Sequence, residues 1–540
     1  MATILSEPEP LLAPETPQEE RSEERADVVL VERLPEHLRM SRGAALLTAG
    51  LALFFWRLCS RPLFHTDVWG HLTYGRWIWQ HGALPATEPF LPLARGVSVV
   101  DTSWLSQLLG YFTVAVTGTA GLQFLMAVCV TGTLALLARE LHQRTHRAGI
   151  AALGIGVCLW LAMQQFCVGW GEMATLIRPQ IAGVLIYTWI FCRAISHAPR
   201  RGDWILVPLA TCLWANLHGS FVMGPLLLVT LSVGRGLDRL IRTGSIKSVW
   251  RDQRVVQWFL IAELSAVAAL LNPYGIGLYT EVLTFANNLN LSDILDWEPL
   301  TLRDGQGRGL AVAACLLMIL YRLSPRRVSL GEFFLLVGLG AWAMWSSRML
   351  VWFAIPAAYL TAVHWNAVSL KRKREVVAER PARAGIWTVV AVASAWIAFA
   401  LSPMGMFAIH RKQLPLKTSV SADTPLGAVE YLLKQKEPLR GQVFNSYEWG
   451  DYLMWAGPKD IKLFVNSHVH VIPREVWQDY LSISRAGTNW DGQLDRYSVN
   501  YVVIDPRTLG NLSRQLKSDE KWRLGYEDGN SAVFIRKKLI

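Results

Sequence analysis

Hydrophobic and polar positions fall along this chain in long blocks. Between Gly43 and Leu401 the apolar runs are Gly43–Cys59, Ala120–Ala138, Ala148–Val168, Ala174–Cys192, Trp204–Leu217, Phe221–Val233, Val255–Leu271, Gly309–Tyr321, Leu330–Trp345, Met349–Val363 and Ala384–Leu401. With most charges in the segments between them, these eleven runs predict membrane spans. Several fall short of the ~20 residues that cross a bilayer upright. A further apolar segment, Trp104–Val116, has only 13 residues, and its placement decides the topology. If it lies in the membrane interface, the inside loops are 139–147, 193–203, 235–254, 322–328 and 371–383, with 21 Lys and Arg. The outside loops 60–119, 169–173, 218–220, 273–308 and 346–348 then hold six. That asymmetry predicts a cytoplasmic N-terminus and an external C-terminus.

After Pro403 the pattern changes to that of a soluble domain. Thr424-Pro425 reads as a helix start, with Thr as cap and Pro at the first helical position. Gln442–Asn445, Lys462–Val465, Tyr501–Ile504, Trp522–Tyr526 and Ala532–Arg536 read as strands, and Tyr447–Trp455, Arg474–Ser484 and Leu509–Lys517 as helices. Glu527-Asp528-Gly529-Asn530 suits a hairpin turn. The expected organisation is a tail at 1–42, a multispan domain at 43–403 with its large first outer loop at 60–119, a linker at 404–423 and a small α/β domain at 424–540. The tail is rich in Glu and Pro, with no apolar core of a signal peptide, and reads as disordered and cytoplasmic.

Composition agrees. A chain of 540 residues that is 52% hydrophobic and 18% charged is too long and too apolar for one soluble domain. The net charge of +11 raises a nucleic-acid reading, but the basic residues lie mostly in the short loops, where they report topology. The seven cysteines sit almost entirely within apolar runs, with no zinc-ligand spacing and no disulfide framework.

The topology sorts the unusual polar clusters onto one face. His65-Thr66-Asp67-Val68-Trp69-Gly70-His71 falls outside, as do Gly169-Trp170-Gly171-Glu172-Met173 and Ile177-Arg178-Pro179-Gln180. So do Asn216-Leu217-His218-Gly219, Asn272-Pro273-Tyr274-Gly275, Asp296-Trp297-Glu298-Pro299 and Ser346-Ser347-Arg348. Asp67 and His71 share a face if their segment is helical. In a pocket roofed by Trp69 and Trp77, Asp67 could act as a general base or hold a metal; the competing reading is a wet interfacial segment. Arg178, entering an apolar span, needs a partner. Glu172 is one candidate, and an anionic headgroup or phosphate bound bidentately is the other. Arg348 poses the same question, and His218 with Asn216 adds donors. Glu263 lies within a span, where a hydrogen-bonded structural role competes with a catalytic one. Asp101, opening the Trp104–Val116 helix, reads first as a cap. Most of the 24 tryptophans read as interfacial anchors.

The arrangement resembles the C-type glycosyltransferase superfamily (GT-C): one span, a large first outer loop with an acidic residue and juxtamembrane helices, and a second acidic site in the next outer loop. Asp67 and Glu172 stand where those acidic residues would. A more local resemblance is to a group of bacterial multispan proteins of undefined activity. It rests on Asp67–Gly75, His81–Pro85, Trp104–Gln107, Arg178–Gln180, Asn216–Gly219, Asn272–Gly275 and Tyr447–Leu453, and covers about residues 43–540. Two departures matter. The first loop has one Asp and not a paired acidic motif, and Asn466-Ser467-His468 replaces an Asp-Gly-Arg common in similar terminal domains.

The resemblance implies a polytopic α-helical membrane protein of about eleven spans with a C-terminal α/β extracytoplasmic domain, in the bacterial cytoplasmic membrane. It implies transfer of a sugar from a polyprenyl-phosphate donor to a glycan, lipid or protein acceptor at the outer face. Asp67 and Glu172 would be catalytic, and His71, Arg178, His218 and Arg348 would bind substrate. No metal ligands are assigned, though a divalent cation is a cofactor candidate. The bilayer is a partner and nucleic acid is not. Two rival classes are a transporter or flippase, which predicts paired polar residues at mid-membrane such as Glu263 and Gln164-Gln165, and a non-catalytic scaffold with an exported binding domain.

Overall fold

The computed structural model describes residues 34–163, 167–168, 174–294, 297–372, 382–538 and 540. Each of the eleven apolar runs forms a helix. They are α1 (Arg42–Cys59), α4 (Thr119–Thr145), α5 (Ala148–Ala162), α6 (Gln180–Ser196), α7 (Asp203–Leu217), α8 (Met223–Thr243), α10 (Gln253–Ala268), α12 (Gly305–Leu323), α13 (Leu330–Trp345), α14 (Leu350–Arg372) and α15 (Gly385–Ala400). Among the described residues, α1, α4, α8 with the turn before it, and α12 are long and apolar enough to cross a membrane. Four shorter apolar helices, α5, α6, α7 and α13, lie beside them. α15 meets α16 (Pro403–His410) at a bend of 81°, where the Ser402 hydroxyl caps α16 and Pro403 takes its first position.

The connection between α1 and α4 carries two helices, α2 (Val68–His81) and α3 (Trp104–Thr117), so the short apolar segment is helical as expected. Their close packing rests on Gly75, where a Cβ would lie 2.1 Å from the Gln107 carbonyl oxygen. Short helices α9 (Ile246–Trp250), α11 (Gly277–Thr284) and α17 (Leu416–Ser419) complete the connections. Met40–Ser41 (β1) pairs antiparallel with Arg383–Ala384 (β4), tying the start of α1 to that of α15.

Two expected spans need correction. The run Ala148–Val168 stops being helical after the α5 region, and Ala174–Cys192 becomes helical only at Gln180. Cys167–Val168 (β2) and Ala174–Thr175 (β3) pair antiparallel instead. Thr175 donates its N–H to Pro62 and accepts from Phe64 N–H. The backbone groups of Thr175 are thus satisfied by Pro62 and Phe64 without helix.

The C-terminal part holds a four-stranded sheet of order β5-β6-β8-β7 (Gln442–Asn445, Val499–Ile504, Ala532–Arg536, Trp522–Glu527). β5 runs parallel to β6, and the remaining pairs are antiparallel. Helices α18 (Leu426–Leu433), α19 (Tyr447–Ala456), α20 (Arg474–Ser484), α21 (Trp490–Arg496) and α22 (Gly510–Ser518) accompany it. Two expectations shift. Lys462–Val465 is not a full strand and makes one parallel bridge, Leu463 to Val443. Thr424 does not cap α18: the helix starts at Leu426, and the Thr424 hydroxyl lies against Ser421.

Two apolar cores result. One fills the helical bundle. The other fills the terminal sheet and continues into Val68, Trp69, Leu72, Leu91 and Leu122, so the terminal unit and the first outer loop share a core. Trp69 is buried against Tyr452 and Trp455 of α19, with ring centroids 5.3 and 6.1 Å away. Asn288 and Asn290, in the loop after α11, donate to the carbonyls of His470, Val469 and Ile472. Arg474 Nη1 reaches Asp293 at 2.5 Å.

Candidate active site

The loop before α2 ends in a residue held against its own preference. Asp67 has φ 54° and ψ −55°, and Val68 N–H donates to Thr66 C=O at 2.5 Å. This is a positive-φ γ-turn, a rare and strained form for a residue with a side chain. Three contacts hold it. Asp67 N–H donates to Asp451 Oδ2 at 3.0 Å. Asp67 Oδ2 accepts from Arg178 Nε at 2.9 Å. Asp67 C=O accepts His71 N–H and starts α2. Strain over-determined in this way marks Asp67 as a functional candidate more firmly than its composition does.

Asp451 supplies the second carboxylate that the outer-loop sequence lacks. It is fully buried on α19, and its Oδ1 accepts Ser467 N–H at 3.4 Å. Gly70 permits the approach, since a Cβ there would lie 2.6 Å from Asp451 Oδ1. The chain positions 67 and 451 are far apart, so only the fold joins them. The one sequence signal is an Asp inside the apolar stretch Trp449-Gly450-Asp451-Tyr452-Leu453.

Five of the six site residues expected from sequence come together: Asp67, His71, Arg178, His218 and Arg348. Each lies close enough for its charge to act on others of the set. Glu172 lies outside the described residues, as do Asp296 and Gln164-Gln165. Burial pushes the Asp67 carboxyl up, but the charges of Arg178, His71 and Arg348 outweigh it and hold the group below its ordinary range. Burial lowers His71 to about 4, helped by the two arginines and opposed by Asp67. His218 is lowered by burial and Arg348 to about 3. Both rings are therefore neutral near pH 7.

The His218 tautomer is fixed. Its Nδ1 accepts from Ser220 N–H at 3.0 Å, and a backbone N–H can only donate. Nδ1 must hold the lone pair, which leaves Nε2–H as a donor. Arg348 lies over the Trp297 ring, 5.0 Å from its centroid. The terminal unit adds His468, its ring 5.7 Å from His71 and 4.6 Å from Tyr74. His470 follows at 5.6 Å from His468. Burial lowers these two to about 4 and about 3. The sequence marks His468 only as a departure from Asp-Gly-Arg and carries no signal for His470.

Other expectations change. Trp69 and Trp77 do not roof Asp67: Trp69 docks the terminal unit, and Trp77 stacks on His81 at 4.1 Å. Arg178 pairs with Asp67, while Glu172, the partner expected from sequence, lies outside the described residues. Asn216 adds no free donor, because its amide bonds Trp104 Nε1, Cys212 C=O and Leu271 C=O. Glu263 is exposed on α10 and makes no hydrogen bond or ion pair among the described residues. Asp101 does not cap α3, whose N-cap is Ser103; it closes the turn before the helix by accepting Ser103 N–H at 3.0 Å.

Among the described residues no donor set matches a divalent cation. Asp67 is paired with a guanidinium and Asp451 with two N–H groups. No three His, Cys, Asp or Glu side chains among the described residues are placed to hold a metal ion.

No protein-family model matches the sequence, and no curated protein matches it. Solved structures do. ArnT from Cupriavidus metallidurans in the apo state aligns with a TM-score of 0.51 at 13% identity, over 91% of this chain and 97% of that one. The same ArnT bound to undecaprenyl phosphate gives 0.48 and 12%, over 92% and 98%. The Archaeoglobus fulgidus oligosaccharyltransferase in the apo form gives 0.49 and 12%, over 92% and 74%. The chain thus shares its fold with the apo form of this ArnT.

Asp451 gives the docking of the terminal unit a pH dependence. Burial, with the charge of Asp67, raises it from 3.8 to about 7. A carboxyl raised on folding contributes stability that is complete below its unfolded value and lost as pH rises through about 7. The terminal unit is expected to be cut from the bundle by protease more readily above pH 7 than near pH 5. Limited proteolysis across that range checks this, and Asp451→Asn should flatten the dependence.

Proposed function

We propose that the protein is a membrane glycosyltransferase that moves a sugar from a polyprenyl-phosphate donor to an acceptor at the outer face of the membrane. The observation that carries this reading is the convergence of Asp67, His71, Arg178, His218 and Arg348 beneath the terminal unit. Asp67 is the group to take the acceptor's hydroxyl proton, because its neighbours keep it ionised at neutral pH. Two arginines and the Nε2–H of His218 supply positive charge and a donor for the phosphate, whose negative charge grows as the glycosidic bond breaks. Neutral histidines suit an acceptor that is recognised by hydrogen bonds. ArnT, whose apo structure shares this fold, binds undecaprenyl phosphate, which supports the donor class. The lysine- and arginine-poor outside loops support the outer face.

Cells with wild-type protein, a deletion and Asp67→Ala should differ in polyprenyl-linked and exported glycans. The deletion and the variant are expected to match, with the variant inserted normally. Unchanged glycans in Asp67→Ala sink the assignment. An alkaline phosphatase fused after Ile540 is expected to be active, and an inactive fusion places the terminal unit inside.

A further inference from the structure

Behind the cluster lies a second layer that this chemistry does not use. Asp101 and Gln107 are buried, with 6% and 2% exposure. Gln107 Nε2 donates to Asp101 Oδ1 at 3.0 Å and lies 3.4 Å from His71 Nδ1. Asp101 Oδ1 also accepts Ser103 N–H. Two sealed oxygens are left with no partner among the described residues, Asp101 Oδ2 and Gln107 Oε1. Native interiors rarely leave such acceptors orphaned, and a charged orphan is the more costly kind. Protonating Asp101 replaces a charged orphan oxygen with a neutral one.

An amide can present either end to its neighbours. We propose that Asp101 and Gln107 are positioning residues that set the tautomer of His71. With Asp101 ionised, the Gln107 NH2 faces both partners, so His71 keeps its lone pair on Nδ1 and its proton on Nε2. With Asp101 protonated, its hydroxyl donates to the Gln107 carbonyl oxygen while still accepting from Ser103. The reversed amide then accepts Nδ1–H of His71 and leaves the lone pair on Nε2. His71 Nε2 makes no hydrogen bond among the described residues, so it is the atom offered to a ligand.

The acidities allow the exchange. Burial raises Asp101 to about 7, against the Ser103 and Gln107 bonds that lower it. His71, lowered to about 4, stays neutral over the same range and must take one tautomer or the other. The groups facing Asp101 are the Tyr274 hydroxyl, which accepts its N–H, and Tyr74 of α2. Those facing His71 are Asp67, Arg178 and Arg348, His218, and His468 and His470 of the terminal unit. What Nε2 meets rests on the glycosyltransferase reading: with Asp101 ionised, Nε2–H donates to the oxygen of the acceptor hydroxyl and leaves the hydroxyl proton for Asp67, whereas the other tautomer takes that hydroxyl proton on its own lone pair and away from Asp67. The tautomer exchange itself does not depend on that reading.

The test uses full-length protein, labelled with ¹⁵N-histidine in lipid nanodiscs, with His71→Gln to identify the His71 signals. From about pH 5.5 to about pH 8.5 the proton should move from Nδ1 to Nε2, the ratio inverting by about tenfold or more. Asp101→Asn cannot take up a proton, and its Oδ1 still serves Ser103 and Gln107. There His71 should carry its proton on Nε2 at every pH. One unchanging tautomer in the wild type overturns the proposal without any variant, as does wild-type switching in Asp101→Asn. A switching tautomer in protein that transfers no sugar leaves the relay standing and removes the glycosyltransferase reading. A fixed tautomer in active protein does the reverse.

Discussion

Asp67→Asn is expected to lower sugar transfer by about 10²- to 10⁴-fold, the usual contribution of a positioned general base. Asn is the substitution that isolates the charge. It tolerates positive φ better than most residues, so the γ-turn at position 67 and its N–H bond to Asp451 survive. What disappears is the anion that pairs with Arg178 and offsets Arg348. The acceptor hydroxyl then has no base, and Arg178 loses its bond to the Asp67 carboxylate. Loss of that buried pair should also weaken the site's rigidity, so melting temperature is measured beside activity. Donor consumption in membranes, normalised to inserted protein, gives the rate. Transfer within twofold of wild type would falsify the role given to Asp67. The sign with pH follows from its lowered pKa: the base form persists through neutral pH and is lost only in acid, below the range where aspartates ordinarily titrate.

Gly70→Ala carries the second large effect, and it replaces no charged residue. The added methyl would sit 2.6 Å from Asp451 Oδ1 and 2.8 Å from its Cγ, closer than atoms pack. In isolation the change favours helix by about 1 kcal/mol. The clash opposes that gain, because both elements are fixed by the shared core of Trp69, Tyr452 and Trp455, and overpacking of this kind costs about 1–3 kcal/mol. Either α19 moves off or Asp451 leaves Asp67. In both cases the strained turn loses its N–H acceptor and the terminal unit loosens. Transfer should fall by about tenfold to a hundredfold, the size of a loss of about 1.4–2.8 kcal/mol in positioning the base. Helix content by circular dichroism should be unchanged, while protease should release the terminal unit more readily than in wild type. Full activity with a tightly held terminal unit would mean that Asp451 contributes nothing to the site.

These two residues also mark the boundary of what the sequence discloses. Asp67 is visible locally: a carboxylate and two imidazoles beside an apolar run, on the face that the loop charges assign. Its conformation is not, since φ at one position depends on what grips the chain from both sides. Asp451 carries no signal beyond being acidic in an apolar stretch, because a contact between residues 67 and 451 leaves no periodicity. Arg178 needs a partner on energetic grounds, and the sequence offers Glu172, outside the described residues, as the nearest carboxylate; the pairing with Asp67 comes from the fold. Asp101 is placed before α3 by sequence, but its link through Gln107 to His71 is hidden.

By itself, the sequence determined the elements whose cause is local. Apolar runs gave helices, since a backbone surrounded by lipid must satisfy its own hydrogen bonds. Arg474–Ser484 and Ala532–Arg536 emerged with the expected bounds, because their hydrophobic spacing and flanking turn residues agree. The ends of α5 and α6 did not follow from pattern, because pairing of Cys167–Val168 with Ala174–Thr175, and of Thr175 with Pro62 and Phe64, outcompetes the last helical turns. Only tertiary structure decided the site. It placed a terminal-unit carboxylate under the Asp67 backbone, paired Asp67 with Arg178, and set His71, His218, His468 and His470 around them. Those choices depend on burial and on charges brought together across the whole chain, and neither exists until the chain has folded.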